Sequence, residues 1–236
     1  MKPVALFLPG LMCDRAAWAD VTGRLSDAAD CRVPDYEGAD TIEGMARAVL
    51  RGAPARFALA GHSMGGRVAL EIMRQAPQRV ARLALLDTGY QPRLSGEAGA
   101  AESRRRARLV DLAFERGMRF MGREWVRGMV HPERLEDRRL IDAILDMIER
   151  RTPEHFAAEV RALLARPDAS AVLASIACPT LIVCGQEDSW SPPARHHAMA
   201  GLIPASRLEL LQRCGHMAPM EQSGPVAGLL RGWLLS

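Results

Sequence analysis

The chain has 236 residues, 48% apolar and 25% charged, with a formal net charge of +3. That length suits one large α/β domain or a domain carrying an insertion, and so mild a charge argues against nucleic acid as a partner. No run of about 18 apolar residues marks a membrane span, and the irregular spacing of Cys13, Cys31, Cys178, Cys184 and Cys214, with no C-x-x-C pair, argues against a disulfide framework or zinc site and for a reducing, cytoplasmic setting.

Met1 to Gly10 has one lysine and a short apolar run but no small-residue cleavage site, so it reads as a first strand, Val4 to Leu8, rather than a signal peptide. There is little room before Val4 for a further strand pair. Pro9-Gly10-Leu11-Met12-Cys13 follows, and Asp14 is placed to N-cap a helix carrying Trp18, Val21 and Leu25 on one face. Cys31 to Val33 is a short second strand. Ile42, Met45, Ala46, Val49 and Leu50 form the stripe of a second helix. The apolar run Phe57 to Ala60 is a buried third strand, and a helix with Val68, Ala69, Ile72 and Met73 on one face comes soon after it, ending before Pro77. Arg82 to Leu86 is the fourth strand. The order so far, βαβαβαβ, predicts a parallel sheet with helices on both faces.

From about Tyr90 to Ile176 the alternation stops and no strand pattern occurs. Leu140, Ile141, Ile144, Leu145 and Ile148 form one helical stripe, and Phe156, Val160, Leu163 and Leu164 form another, opened by Thr152-Pro153. A helical block of this length is an insertion, so residues 90–176 are expected to form a lid over a core built from 1–89 and 177–236. The α/β pattern resumes with Thr180 to Cys184, a helix near Ala194 to Leu202, a last strand Arg207 to Leu211 and a terminal helix from Pro225.

Between the third strand and its helix stands Gly61-His62-Ser63-Met64-Gly65. Strand, G-x-S-x-G, helix is the setting of a nucleophile elbow, where a strained turn lifts the serine hydroxyl off the strand end. A serine hydroxyl needs a base, and the base needs an orienting partner. Sites in open parallel sheets gather at the carboxyl ends of strands. Ser63 follows the third strand, Asp188 the fifth and His216 the sixth, in the chain order Ser, Asp, His. Asp87 also follows a strand and is a rival acid. Glu187 reads as a solvated turn residue. His62 is expected to point away from the nucleophile in a supporting role. His196 and His197 are adjacent and so face different ways on a helix, which argues against a metal pair. His131 and His155 read as ordinary residues of the helical block.

With Gly61 to Gly66, Gly185-Gln186-Glu187-Asp188, Cys214-Gly215-His216, Pro192-Pro193 and Met220-Glu221-Gln222, the chain resembles an α/β-hydrolase with a helical cap. The resemblance covers nearly the whole chain and implies the α/β-hydrolase fold, with a mainly parallel sheet of about six strands and without the N-terminal antiparallel pair. It implies Ser63 as nucleophile, His216 as base and Asp188 as its partner, with an oxyanion hole formed by the backbone N–H groups of Met64 and Leu11. Relatives often carry His-Gly where this chain has Pro9-Gly10, so any imidazole contact from that position is missing here. Met12 and Met217 are candidate pocket residues, adaptable and apolar.

The expected function is hydrolysis of a carboxylic ester of a small or medium, mainly apolar acyl group. Alternatives are carbon–carbon bond hydrolysis by the same triad, demethylation of an ester bound to an acidic carrier protein, and ligand binding without turnover. The cluster Arg104-Arg105-Arg106 with Arg108 reads as a solvated helix face, or more sharply as a landing site for an acidic substrate or carrier. Nothing in the sequence asks for a metal or organic cofactor, and a carboxylate at the elbow, required for halide cleavage, is absent.

Overall fold

A computed structural model describes residues 2–235; Met1 and Ser236, the outer ends of the expected core segments, lie outside the described residues. The strands are β1 (Val4–Leu8), β2 (Asp30–Arg32), β3 (Phe57–His62), β4 (Val80–Leu86), β5 (Thr180–Gly185) and β6 (Ser206–Leu211). They form one parallel sheet in the order β2-β1-β3-β4-β5-β6. Strands β1, β3 and β5 read as unbroken apolar runs because a parallel sheet is covered on both faces. β2 is an edge, short and with Asp30 and Arg32 exposed, and it pairs one residue earlier than the apolar signal of Cys31 to Val33 suggests.

The helices of the sheet are α1 (Ala19–Leu25), α2 (Ile42–Gly52) and α3 (Met64–Gln75). After β4 come α4 (Gly96–Arg116), α5 (Met118–Trp125), α6 (Arg138–Glu149), α7 (Pro153–Leu164) and α8 (Ser170–Ser175), then α9 (Pro193–Leu202), α10 (Ala218–Glu221) and α11 (Ser223–Leu235). The chain moves from β1 outward to β2, then back across to β3 and onward to β6. Right-handed crossovers therefore put α1 on one face and α2, α3 and α9 on the other. α1 packs with α10 and α11, while α2, α3, α8 and α9 form the opposite layer. The direction changes between β1 and β3, so their carboxyl ends open a crevice at the topological switch point.

Local caps follow the expected chemistry. Asp14 accepts from Ala16 N at 2.7 Å and opens a 3-10 turn that leads into α1. Thr152 accepts from His155 N at 3.2 Å with Pro153 in the first turn of α7. α11 starts at Ser223, two residues before the expected Pro225; a proline is tolerated there because N–H groups of the first turn have no intrahelical acceptor. No helix among the described residues is long and apolar enough to cross a membrane.

Candidate active site

The elbow is built by sterics. Ser63 sits at φ 54° and ψ −117°, a left-handed region that β-carbon clashes normally forbid. A Cβ on Gly61 would lie 2.4 Å from Gly65 O, and one on Gly65 would lie 2.3 Å from Leu8 O, so only glycine permits the turn. Ser63 N donates to Leu86 O at 2.9 Å, and Thr88 Oγ1 donates to Ser63 O at 2.6 Å. These bonds hold the strained residue from β4.

The structure brings Ser63, His216 and Asp188 together. His216 Nδ1 lies 2.8 Å from Asp188 Oδ2, and Nε2 lies 2.8 Å from Ser63 Oγ. A carboxylate only accepts, so Nδ1 carries the proton and Nε2 offers its lone pair to the serine hydroxyl. Asp188 Oδ1 accepts from Trp190 N at 2.8 Å and Ser191 N at 2.9 Å. Burial pushes the Asp188 carboxyl up, but His216 and these N–H groups hold it below the usual carboxylate range. Asp87 lies on the opposite side of this balance. Its Oδ1 accepts from Gly185 N at 2.9 Å and its Oδ2 from Ala218 N at 3.3 Å, and it makes no bond to His216. Burial and the charge of Asp188 raise its pKa. Two carboxyls pushed apart in this way leave Asp188 ionised beside the imidazole.

His62 does not turn away. Its ring packs 5.4 Å from the His216 ring, and Nε2 donates to His216 O at 2.7 Å. The strand face opposite Gly61 is the one that the His216 loop covers, so strand alternation aims His62 at that loop. Burial and His216 lower its pKa to about 3, so the ring is neutral. On its other side His216 meets the Trp190 ring at 5.0 Å, and Trp190 stacks on Trp125 from α5 at 5.4 Å. His196 is also a supporting residue: buried, it accepts from Thr88 N at 3.0 Å.

Among the described residues no protein acceptor takes the N–H of Leu11 or Met64, and both residues line the cavity beside Ser63. The Pro9–Cys13 loop is pinned by bonds that sequence reasoning missed. Tyr36 Oη donates to Pro9 O at 2.7 Å, and Glu159 Oε2 on α7 accepts from Met12 N at 2.7 Å. The His216 loop has a similar anchor. Glu221 accepts from Gly215 N and Met217 N, each at 3.1 Å, and from His131 N at 2.8 Å, while His216 N donates to Met129 O at 2.8 Å. Glu187, in the expected exposed turn, accepts from Cys214 N at 2.9 Å. A signal for Glu159 existed: it lies three residues after Phe156 and four before Leu163, a carboxylate on the buried face of α7.

The cavity over Ser63 has a volume of about 740 Å³. Met217 lines it. Met12 does not: its left-handed backbone, φ 58°, turns a fully buried side chain into the core. Cys13 lines the wall, but burial and then Glu159 push its thiol up, so it is no nucleophile. Asp87, Cys184 and Asp188 bring ligand-type atoms within 4.8 Å of one another. Those atoms are already engaged by backbone groups and His216, so the trio serves as a hydrogen-bond hub.

A sequence model of the Alpha/beta hydrolase family matches residues 5–229. A pimeloyl-acyl-carrier protein methyl ester esterase of Aromatoleum aromaticum is 26% identical over 229 residues, covering 91% of each chain. Among solved structures, a malate-bound thermophilic esterase from Thermogutta terrifontis superposes with a TM-score of 0.86 at 29% identity, covering 99% of this chain and 91% of that one. The enol-lactonase of Burkholderia xenovorans LB400 shares the fold, with a TM-score of 0.86 at 20% identity over 100% of this chain and 93% of its own.

Proposed function

The chain belongs to the alpha/beta hydrolase family, and from that premise we propose that it hydrolyses carboxylic esters through an acyl-enzyme on Ser63. The observation that carries this reading is the unbroken line Asp188–His216–Ser63, with 2.8 Å at each link. As Ser63 Oγ attacks the ester carbonyl, His216 Nε2 takes its proton and Asp188 stabilises the imidazolium. The carbonyl oxygen becomes an oxyanion held by the N–H groups of Leu11 and Met64. Collapse expels the alcohol, which receives the proton from His216. Water then gives a proton to His216 and attacks the acyl carbon, and collapse breaks the bond to Ser63 Oγ, which takes the proton back from His216 as the acid leaves.

In this scheme residues 90–176 act as a cap on a core of 1–89 and 177–236, with Leu109 of α4 and Leu163 of α7 closing the cavity from above. Leu109, Met129, Leu163 and Met217 suit a small or medium acyl chain. The five cysteines are free, which fits a cytoplasmic enzyme. A second reading, cleavage of a carrier-bound methyl ester, is favoured by Arg104, Arg105 and Arg108, exposed on α4, and by the name of the Aromatoleum relative.

One assay tests both readings: hydrolysis of p-nitrophenyl esters of increasing acyl length, and of a carrier-linked methyl ester, by wild type and Ser63→Ala. Release with a chain-length optimum is expected, falling at least about 10⁴-fold in the variant. Equal release by both proteins overturns the mechanism. Turnover of the carrier-linked ester alone favours the second reading.

A further inference from the structure

Five arginines, Arg67, Arg105, Arg106, Arg166 and Arg195, line the cavity over Ser63, against one lining carboxylate, Glu102. Glu102 is already shared: Arg166 donates to it at 2.8 and 2.9 Å and Arg106 at 3.0 Å. Among the described residues Arg67, Arg105 and Arg195 have no carboxylate partner. Arg67 donates to Gln91 O at 2.8 Å, and Arg195 to Trp190 O at 3.1 Å and Ser191 Oγ at 3.4 Å.

The placement of Arg67 and Arg195 is specific. Arg67 lies one turn along α3 from Ser63, about 6 Å between Cα atoms. A Cβ on Gly89, at the end of β4, would be 2.8 Å from one Arg67 terminal nitrogen and 3.4 Å from Arg195 Nη1. Two guanidinium groups from different helices thus converge on one bare glycine at the cavity wall. Arg67 is half-buried; burial, then the charges of Arg166 and Arg195, bring its pKa down to about 9, so it stays protonated at neutral pH. A half-buried guanidinium beside like charges is stabilised when an anion joins it. Exposed arginines on a solvated helix need no such partner.

We infer that Arg67 and Arg195 form a subsite for an anionic group, carboxylate or phosphate, on the substrate, a short spacer away from the ester attacked by Ser63. The inference deepens the esterase reading and rests on it for the word substrate. Guanidinium groups suit both anions because their paired N–H donors match two oxygens. Arg105, from α4, adds a further charge to the lining. The preferred ester is then one whose far end is charged, such as a half-ester of a dicarboxylic acid.

The test separates binding from turnover. Adipate, butyl phosphate and neutral adipamide are titrated calorimetrically into the Ser63→Ala protein, alone and with Arg67→Met or Arg195→Met added. Melting temperatures recorded beside each titration show that the variant is folded. Expected is at least about tenfold tighter binding of an anion than of adipamide, lost in both arginine variants, in line with charge-assisted hydrogen bonds. The tighter of the two anions identifies the group. In the Ser63-containing enzyme the preference for mono-p-nitrophenyl adipate over p-nitrophenyl hexanoate falls toward one when either arginine is replaced. Anions that bind no better than adipamide, or equally well after both replacements, overturn the subsite. Failure of the esterase reading has a different signature, anion binding without hydrolysis of any ester.

Discussion

Leu6, Leu59, Leu83 and Ile182 lie in the sheet inside the apolar core, while the helical block of residues 90–176 adds polar bonds to the sheet side beside its own buried apolar residues such as Met121, Ile144 and Phe156. Arg150 of the block pairs with Asp14 at 2.8 Å, Arg151 with Asp35 at 3.1 Å, and Glu159 takes Met12 N. Helix α4 shows the contrast best: over 21 residues it buries only Gly99 and Ala113. The sheet gains stability from apolar burial, which is insensitive to the identity of any one partner. The block gains position from bonds that single substitutions remove. The groups proposed for chemistry sit on the sheet, and those proposed for selection and alignment sit where block and sheet meet.

The largest break in that comparison is expected at Glu159. Without its carboxylate, Met12 N is buried without an acceptor and the neighbouring Leu11 N–H loses its fixed aim. A misplaced oxyanion donor costs about 10²-fold in kcat. Glu159→Ala is expected to lower kcat on p-nitrophenyl esters by about that factor with little change in KM, while Glu159→Gln, which keeps an oxygen acceptor, retains most activity. Steady-state kinetics with a far-ultraviolet check of folding measure this. Equal loss in both variants would assign Glu159 a charge role instead.

The same contrast explains what could be read in advance. The strands, α2, α3 and the elbow were legible because apolar periodicity is local, and Ser63, Asp188 and His216 were legible because each closely follows a strand. Helix α4 was not, since its apolar stripe is interrupted by charged residues, one of which, Glu102, is held by Arg166 64 positions away. Glu159 takes Met12 N from 147 positions away and Glu221 takes His131 N from 90, and no local pattern encodes such partners. Met12 misled because adjacency to Leu11 in sequence says nothing of side-chain direction once the backbone turns left-handed. His62 misled because strand alternation names a face but not what covers it.

The sheet side of the comparison carries its own liability, two buried neutral histidines. Burial, aided by His216, lowers His62 to about 3, and burial lowers His196 to about 4. Unfolded histidines titrate near 6.5, so below that pH the unfolded chain binds protons that the native chain does not. Stability therefore falls as pH drops below about 6.5 and stops falling on this account at the folded values. Each histidine contributes about 1.4 kcal/mol per pH unit, or about 2 kcal/mol between pH 6.5 and 5. Urea unfolding at both pH values is expected to show the loss. His196→Gln should flatten the pH slope by about one proton, whatever it does to stability at pH 7.

Glu102 sharpens the comparison from the side of the block. Burial alone would raise its pKa, but Arg166 and Arg106 more than reverse this and hold it at about 2. Its folded pKa lies below the unfolded value, so its contribution is complete above about pH 4.5 and fades as pH falls toward 2. Glu102→Gln is expected to cost about 1–1.5 kcal/mol at pH 7, less than a fully buried pair because the site opens to the cavity. Urea midpoints of wild type and variant should converge as pH drops below 4.5. The same substitution frees Arg106 and Arg166 beside Arg67, so it should tighten adipate binding in the Ser63→Ala background while it lowers stability. A residue that only supported the fold would weaken both. Opposite signs in the two measurements would mean that Glu102 stands in for the anion that the cavity is built to receive.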